Sequence, residues 1–205
     1  MTASAHAYHF DLDGTLVEVS VPFERLVTEA AEAAGASDVA PTAFGEALAH
    51  HMHDGETPIR TAASQAFPDA DADGFRDRFI EAEVAATTPL PGAVTVLRTL
   101  RRRYPIGVLT NGIPALQREK LRSTGLLEYV DDVVVSNAIG AGKPDPEIYR
   151  IAADRLPAKR RTIVADDYER DLAAAAELGW EPILVGKQLD DRSVRTIETL
   201  SALLD

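Results

Sequence analysis

A chain of 205 residues that is 45% hydrophobic but only 6% aromatic can bury one mostly aliphatic core, or a core with a smaller inserted unit. Its formal net charge of −12 sets nucleic acid and anionic membrane aside as main partners, and no apolar run approaches the roughly 18 residues needed to span a bilayer. The absence of cysteine removes disulfides, thiolate metal sites and cysteine nucleophiles together.

The opening MTASAHAYHF has no basic stretch followed by an apolar one, so no signal peptide is expected and a cytoplasmic location is the default. Residues 7–11, AYHFD, read as a short buried strand. From residue 21 to 87 the chain is alanine-rich, with helical spacing in PFERLVTEAAEAAG and DGFRDRFIEAEVAA and nothing that reads as a strand. Gly35, Pro41, Gly55, Pro58 and Pro68 punctuate it, which gives an insert of three to five helices. TTPLPGA marks the return. Thereafter VTVLRTLRRR, PALQREKLRSTG, DPEIYRIAADRL and ERDLAAAAELG read as helices. PIGVLTNG, DDVVVSN, RTIVADD and EPILVG read as strands between and after them. SVRTIETLSALL closes the chain as an amphipathic helix with Val194, Ile197, Leu200 and Leu204 on one side. The alternation predicts an α/β fold, a Rossmann-like parallel sheet with helices on both faces. The division that follows is a core of residues 1–17 and 88–205 with a helical insert at 18–87.

In such sheets ligands bind beyond the carboxyl ends of the strands. Those ends carry Asp11 and Asp13, then Thr110, Asn111 and Gly112, then Lys143 a few residues on, then Asp166, Asp167 and Asp171. Two aspartates as close as Asp11 and Asp13 repel unless a positive charge or a shared proton intervenes. Several carboxylates on one rim form a hard-oxygen site of the kind Mg²⁺ takes. A carboxylate can attack phosphorus and become an aspartyl-phosphate, provided cationic groups such as Mg²⁺ and Lys143 neutralise the phosphoryl oxygens. Thr110 and the N–H groups after it can donate to the same oxygens. A second aspartate, starting protonated, can give a proton to the leaving oxygen and then activate water.

The motifs HFDLDGTL, LTNG, GKPDPEIY and VADDYERDL, in this order and spacing, closely resemble the four motifs of the haloacid dehalogenase superfamily. The likeness is to members with a helical cap inserted after the first motif, and it extends through PGAVTVLRTLRRRYPIGVLTNG over nearly the whole chain. The resemblance implies that residues 18–87 are that cap. It implies Asp11 as nucleophile and metal ligand, and Asp13 as general acid/base with its backbone carbonyl on the metal. It implies Thr110, Asn111, Gly112 and Lys143 around the phosphoryl group, Lys143 also steadying Asp11. Asp166 follows as a metal ligand and Asp171 as a ligand or its support. Dehalogenases of the family lack the second aspartate of the first motif, so Asp13 points to phosphoryl transfer. The expected activity is Mg²⁺-dependent hydrolysis of a small phosphorylated metabolite. A phosphomutase is the alternative within the family, and a phosphate-binding regulator the alternative outside catalysis.

Three positions depart from the family pattern. Ala165 stands where glycine is usual, Asp167 where serine is frequent, and Arg170 where asparagine is common. Asp167 reads as a cap for the helix after it rather than as an extra ligand. GAGKP superficially suggests a phosphate-binding loop, but Lys143 is followed by proline instead of Ser or Thr. His50, His51 and His53 read as a solvated helix end, with a transition-metal site and a substrate-facing cap loop as alternatives. Four of the 21 basic residues are lysines. That bias, with the acidity, suits a high-salt cytoplasm as well as an ordinary acidic proteome. Whether the chain works as a monomer or homodimer stays open at this level.

Overall fold

The computed structural model describes residues 4–52, 57–189 and 194–205. The chain enters through β1 (Ser4–Phe10) and a short β2 (Val17–Val19). It then runs through α1 (Phe23–Ala33), α2 (Pro41–His51), α3 (Pro58–Ala66) and α4 (Ala72–Ala85). β3 (Thr87–Pro89) returns antiparallel to β2, pairing Val19 with Thr87 and Val17 with Pro89. The two strands flank the stretch read as helical and touch it only at Thr87, so among the described residues of 21–86 no strand is found, as expected. β-branched Val17, Val19, Thr87 and Thr88 suit a short ribbon where the chain leaves and re-enters the sheet region.

Helix and strand then alternate through α5 (Ala93–Leu100), β4 (Ile106–Thr110), α6 (Pro114–Ser123), β5 (Asp132–Val135) and the single turn α7 (Ser136–Ile139). α8 (Pro146–Arg155), β6 (Ala158–Ala165), α9 (Ala173–Glu177), β7 (Glu181–Val185) and β8 (Arg195–Ile197) complete it. Six of these strands form one parallel sheet in the order β5-β4-β1-β6-β7-β8. Neighbouring residues along each strand feed opposite faces. Phe10, Val108, Val133, Val135 and Val164 pack with α5 on one side; Leu109, Val134, Ile163 and Ala165 pack with α8, α9 and Trp180 on the other. Both faces are covered, so the inner strands read as continuous apolar runs.

The strand order fixes the site. From β1 the chain builds outward to β4 and β5 on one side, then crosses over to build β6, β7 and β8 on the other. Phe10 of β1 is in register with Val108 of β4 and Val164 of β6. The carboxyl ends of these three strands therefore stand together where the winding reverses, which is where such sheets leave a crevice.

The four helices α1–α4 have their own apolar cluster. Five of the six phenylalanines lie in this stretch, and the Phe44 ring sits 4.8–6.0 Å from those of Phe23, Phe67, Phe75 and Phe79. Ile113 and Leu116, at the start of α6, join that cluster and dock the insert on the sheet region.

The expected last helix is not formed. Arg195–Ile197 pairs with the edge of β7, and a single 3₁₀ turn follows at Leu200–Leu203. Ile197 and Leu200 are buried as expected, but Leu204 is exposed. Three-residue apolar spacing fits a strand followed by a tight turn as well as a helix, and β-branched Val194, Thr196 and Ile197 favour the strand. Pairing here also covers the open edge of β7.

Candidate active site

Asp11 follows the last residue of β1 and is buried between β4 and β6. The Lys143 ammonium lies 2.6 Å from its Oδ1 and 2.7 Å from Oδ1 of Asp171. A lysine and two aspartates thus form one buried cluster. Asp171 sits in a turn of wider π geometry at Tyr168–Leu172, a local distortion often found at functional sites. The Tyr149 hydroxyl donates to the Asp171 carbonyl at 3.0 Å and braces that turn from α8.

Asp166 follows β6 and completes an acidic group. Asp11, Asp166 and Asp171 each bring a carboxylate oxygen within 4.8 Å of the others. Asp166 Oδ1 is buried without a hydrogen-bond partner. Gly14 comes so close that a Cβ there would lie 2.8 Å from Asp166 Oδ2, at a φ of +84°, so the glycine of the first motif is required on both counts. An orphaned carboxylate oxygen within an all-oxygen group suits a small hard cation, and the residues fit Mg²⁺.

Burial pushes the Asp11 carboxyl up to about 6; Lys143 opposes this and Asp171 adds to it. Arg170, in place of an asparagine, holds Asp171 with Nη2 3.1 Å from Oδ2 and reaches within 3.9 Å of Asp166. Its guanidinium is held above the usual range by the Asp171 hydrogen bond. Lys187 approaches Asp166 at 3.4 Å. Asp167 Oδ1 accepts from the Arg170 N–H at 3.1 Å, so it is the cap of the π turn.

Thr110 ends β4, and its Oγ1 accepts from Gln117 Nε2 at 2.8 Å. Asn111 turns aside: its amide exchanges two hydrogen bonds with the backbone of Lys143, at 2.8 and 2.9 Å. The Gly112 N–H donates to Ser136 Oγ at 3.0 Å. Both residues stand on the rim, and their polar groups brace the loops carrying Thr110 and Lys143. The Asp13 side chain lies outside the acidic group; its Oδ1 takes Lys120 Nζ at 2.8 Å and its Oδ2 takes Gln117 Nε2 at 2.7 Å. Glu83, from α4, holds the other side of Lys120 at 2.6 Å.

Gln117, Lys120 and Glu83 escape a reading by strand ends, because they lie on helices. Lysine scarcity is the signal that could have found Lys120. His51 pairs with Gln65 at 3.1 Å and His50 is exposed at the end of α2. His53 lies outside the described residues. Among the described residues no histidine joins a metal-ligand group, and no helix is long and apolar enough to cross a membrane.

These elements define a doubly wound α/β protein with an acidic, lysine-neutralised site where the winding reverses. The chain belongs to the haloacid dehalogenase-like hydrolases, whose family model matches residues 6–179. It is 38% identical over 108 residues to the pyrimidine 5′-nucleotidase YjjG of Escherichia coli, covering 51% of this chain and 48% of that protein. It is 34% identical over 132 residues to a glyceraldehyde 3-phosphate phosphatase of Methanocaldococcus jannaschii, covering 60% and 58%. The chain thus spans about half the length of these curated relatives. A 2-haloacid dehalogenase structure from Pseudomonas syringae superposes with a TM-score of 0.75 at 22% identity, covering 98% and 96% of the two chains. That likeness is one of fold, which is shared by different chemistries.

Proposed function

We propose that this chain is a magnesium-dependent phosphatase of small phosphomonoesters that works through an aspartyl-phosphate on Asp11. The observation that carries the reading is the buried Asp11 carboxylate, bonded to Lys143 and grouped with Asp166 and Asp171, with a second carboxylate, Asp13, two residues on. Asp11, Asp166 and Asp171, with the Asp13 carbonyl, would hold Mg²⁺, which when bound supplies positive charge against the phosphoryl oxygens.

The chain's own residues do the rest. Asp11 attacks phosphorus, and Lys143 both fixes its orientation and neutralises the incoming anion. Thr110 donates its hydroxyl to a phosphoryl oxygen. Asp13 protonates the departing alcohol and later takes a proton from the water that releases phosphate. Residues 18–87 act as the cap over a core of 1–17 and 88–205, excluding bulk water from the reacting groups.

A cavity of about 310 Å³ lies between the insert and the start of α6, with Asp13 in its wall. Phe23, Leu48, Met52 and Phe79 make much of it apolar. The one cation in its described lining, Lys120, is already bonded to two carboxylates. Such a wall suits an uncharged leaving alcohol and disfavours a second phosphate or a carboxylate, whose desolvation nothing would offset.

The test is phosphate release from a panel of phosphomonoesters with Mg²⁺ or EDTA, with Asp11→Asn beside it. The reading expects magnesium-dependent release that disappears in the variant and is fastest for uncharged leaving alcohols. Absence of release from every ester by folded protein would sink it.

A further inference from the structure

Lys120 is a buried lysine that the chemistry above leaves unused. It lies on α6, 2% exposed, with Nζ 2.8 Å from Asp13 Oδ1 and 2.6 Å from Glu83 Oε1. Burial opposes its charge, but Asp13 and Glu83 outweigh that and hold its ammonium above the ordinary lysine value. Gln117, one turn earlier, takes the other Asp13 oxygen at 2.7 Å. Both carboxylate oxygens are therefore fixed by donors from one helix, so the plane of the Asp13 carboxylate is set. Lys120 is buried but the Asp13 side chain is 40% exposed, so solvent screens the pair and it is weak evidence of stabilisation. Its location points elsewhere: it joins the loop after β1, the helix α6 and the insert helix α4 at one ammonium.

We propose that Lys120 is the positioning residue of Asp13, holding it as the proton acceptor that activates water, with Glu83 tying that arrangement to the helical insert. The inference rests on the phosphatase reading. In the step concerned, a water oxygen bonds to phosphorus as the bond to Asp11 breaks. One water proton passes to Asp13, Asp11 departs as a carboxylate, and phosphate leaves. Two donors, Lys120 and Gln117, fix both Asp13 oxygens, so the carboxylate meets the water in one orientation. Glu83 shares the ammonium, so Asp13 does not bear the full charge of Lys120.

The experiment uses p-nitrophenyl phosphate, whose leaving group departs without a proton, so that formation of the aspartyl-phosphate is spared and its breakdown is tested. In Lys120→Met, kcat is expected to fall about 100-fold while kcat/KM stays within about threefold. Rapid mixing should show a burst approaching one p-nitrophenolate per site. Glu83→Gln should show the same split, with kcat down about tenfold. In an Asp13→Asn background, Lys120→Met should change kcat no further, because it acts through Asp13. Equal losses in kcat and kcat/KM, no loss, or additive losses in the double variant would overturn the proposal while leaving the phosphatase reading intact. Should Lys120→Met not fold, Glu83→Gln alone decides by the same split. A wild-type protein that releases no p-nitrophenolate, as Asp11→Asn does, would overturn both.

Discussion

Replacing Lys143 by methionine tests how the site is held together. The ammonium bridges Asp11 at 2.6 Å and Asp171 at 2.7 Å, and the lysine, Asp11 and Asp171 side chains are 1%, 4% and 0% exposed. Methionine keeps most of the apolar stem and removes the charge. Two buried carboxylates then share a site whose remaining close cation is Arg170, half-exposed and 3.1 Å from Asp171. Removing one partner of a buried pair costs roughly 3–5 kcal/mol. Arg170 remains, and Asp11 can take up a proton, so the expectation is the lower end, about 3 kcal/mol near neutral pH. For a chain of this size that is a fall in Tm of about 6–12 °C.

The assay is urea unfolding of both proteins in EDTA, repeated with magnesium chloride. Once the internal cation is gone, the acidic group binds a divalent ion more tightly, so magnesium should stabilise the variant more than the wild type. A loss under about 1 kcal/mol, or equal magnesium stabilisation of both proteins, would refute the idea that Lys143 neutralises this group.

Other outcomes follow from the same geometry. Burial, with Arg161 adding, pushes the His9 imidazole down from 6.5 to about 4 beside Trp180, so the fold accepts its neutral form. That contribution is whole above pH 6.5 and is lost as pH falls towards 4, about 3 kcal/mol in all. Asp11, raised rather than lowered, acts with the opposite sign over much of this window, so the readout is the difference between wild type and His9→Leu in EDTA; parallel stability curves would sink the argument. Arg170→Asn removes a cation beside the acidic group and should tighten Mg²⁺ binding by calorimetry about fivefold, corresponding to about 1 kcal/mol of repulsion; unchanged affinity would show that the guanidinium does not oppose the metal. With a net charge of −12, self-repulsion should be screened by salt, so Tm should rise between about 0.1 and 2 M KCl; a flat or falling Tm would set aside adaptation to high salt.

The sheet and the cluster at its carboxyl ends were legible for one reason. Asp11, Thr110 and Asp166 each end or follow an apolar run, and parallel strands bring those ends together. The strands concerned, β1, β4 and β6, are adjacent in the sheet, so order and register did the rest. The last segment was not legible because Val194, Ile197 and Leu200 satisfy two periods at once. The choice lay with β7, whose open edge no local pattern reveals. The β2–β3 ribbon was hidden for a similar reason, since three residues on each side carry no period of their own.

The polar support around Asp13 was hidden differently. Gln117 and Lys120 sit three apart on α6, where a polar pair ordinarily marks a solvated face, and only the docking of α4 buries them. Composition nevertheless carried the clue. Arginine is the ordinary base of this chain, yet three of its four lysines meet site carboxylates: Lys120 at Asp13, Lys143 at Asp11 and Asp171, and Lys187 at Asp166. Two of the three are buried between a pair of carboxylates at 2.6–2.8 Å. A compact ammonium can sit between two such oxygens, whereas a planar guanidinium needs room for its fork. The two buried lysines of this lysine-poor chain therefore mark the places where a compact charge meets two carboxylates.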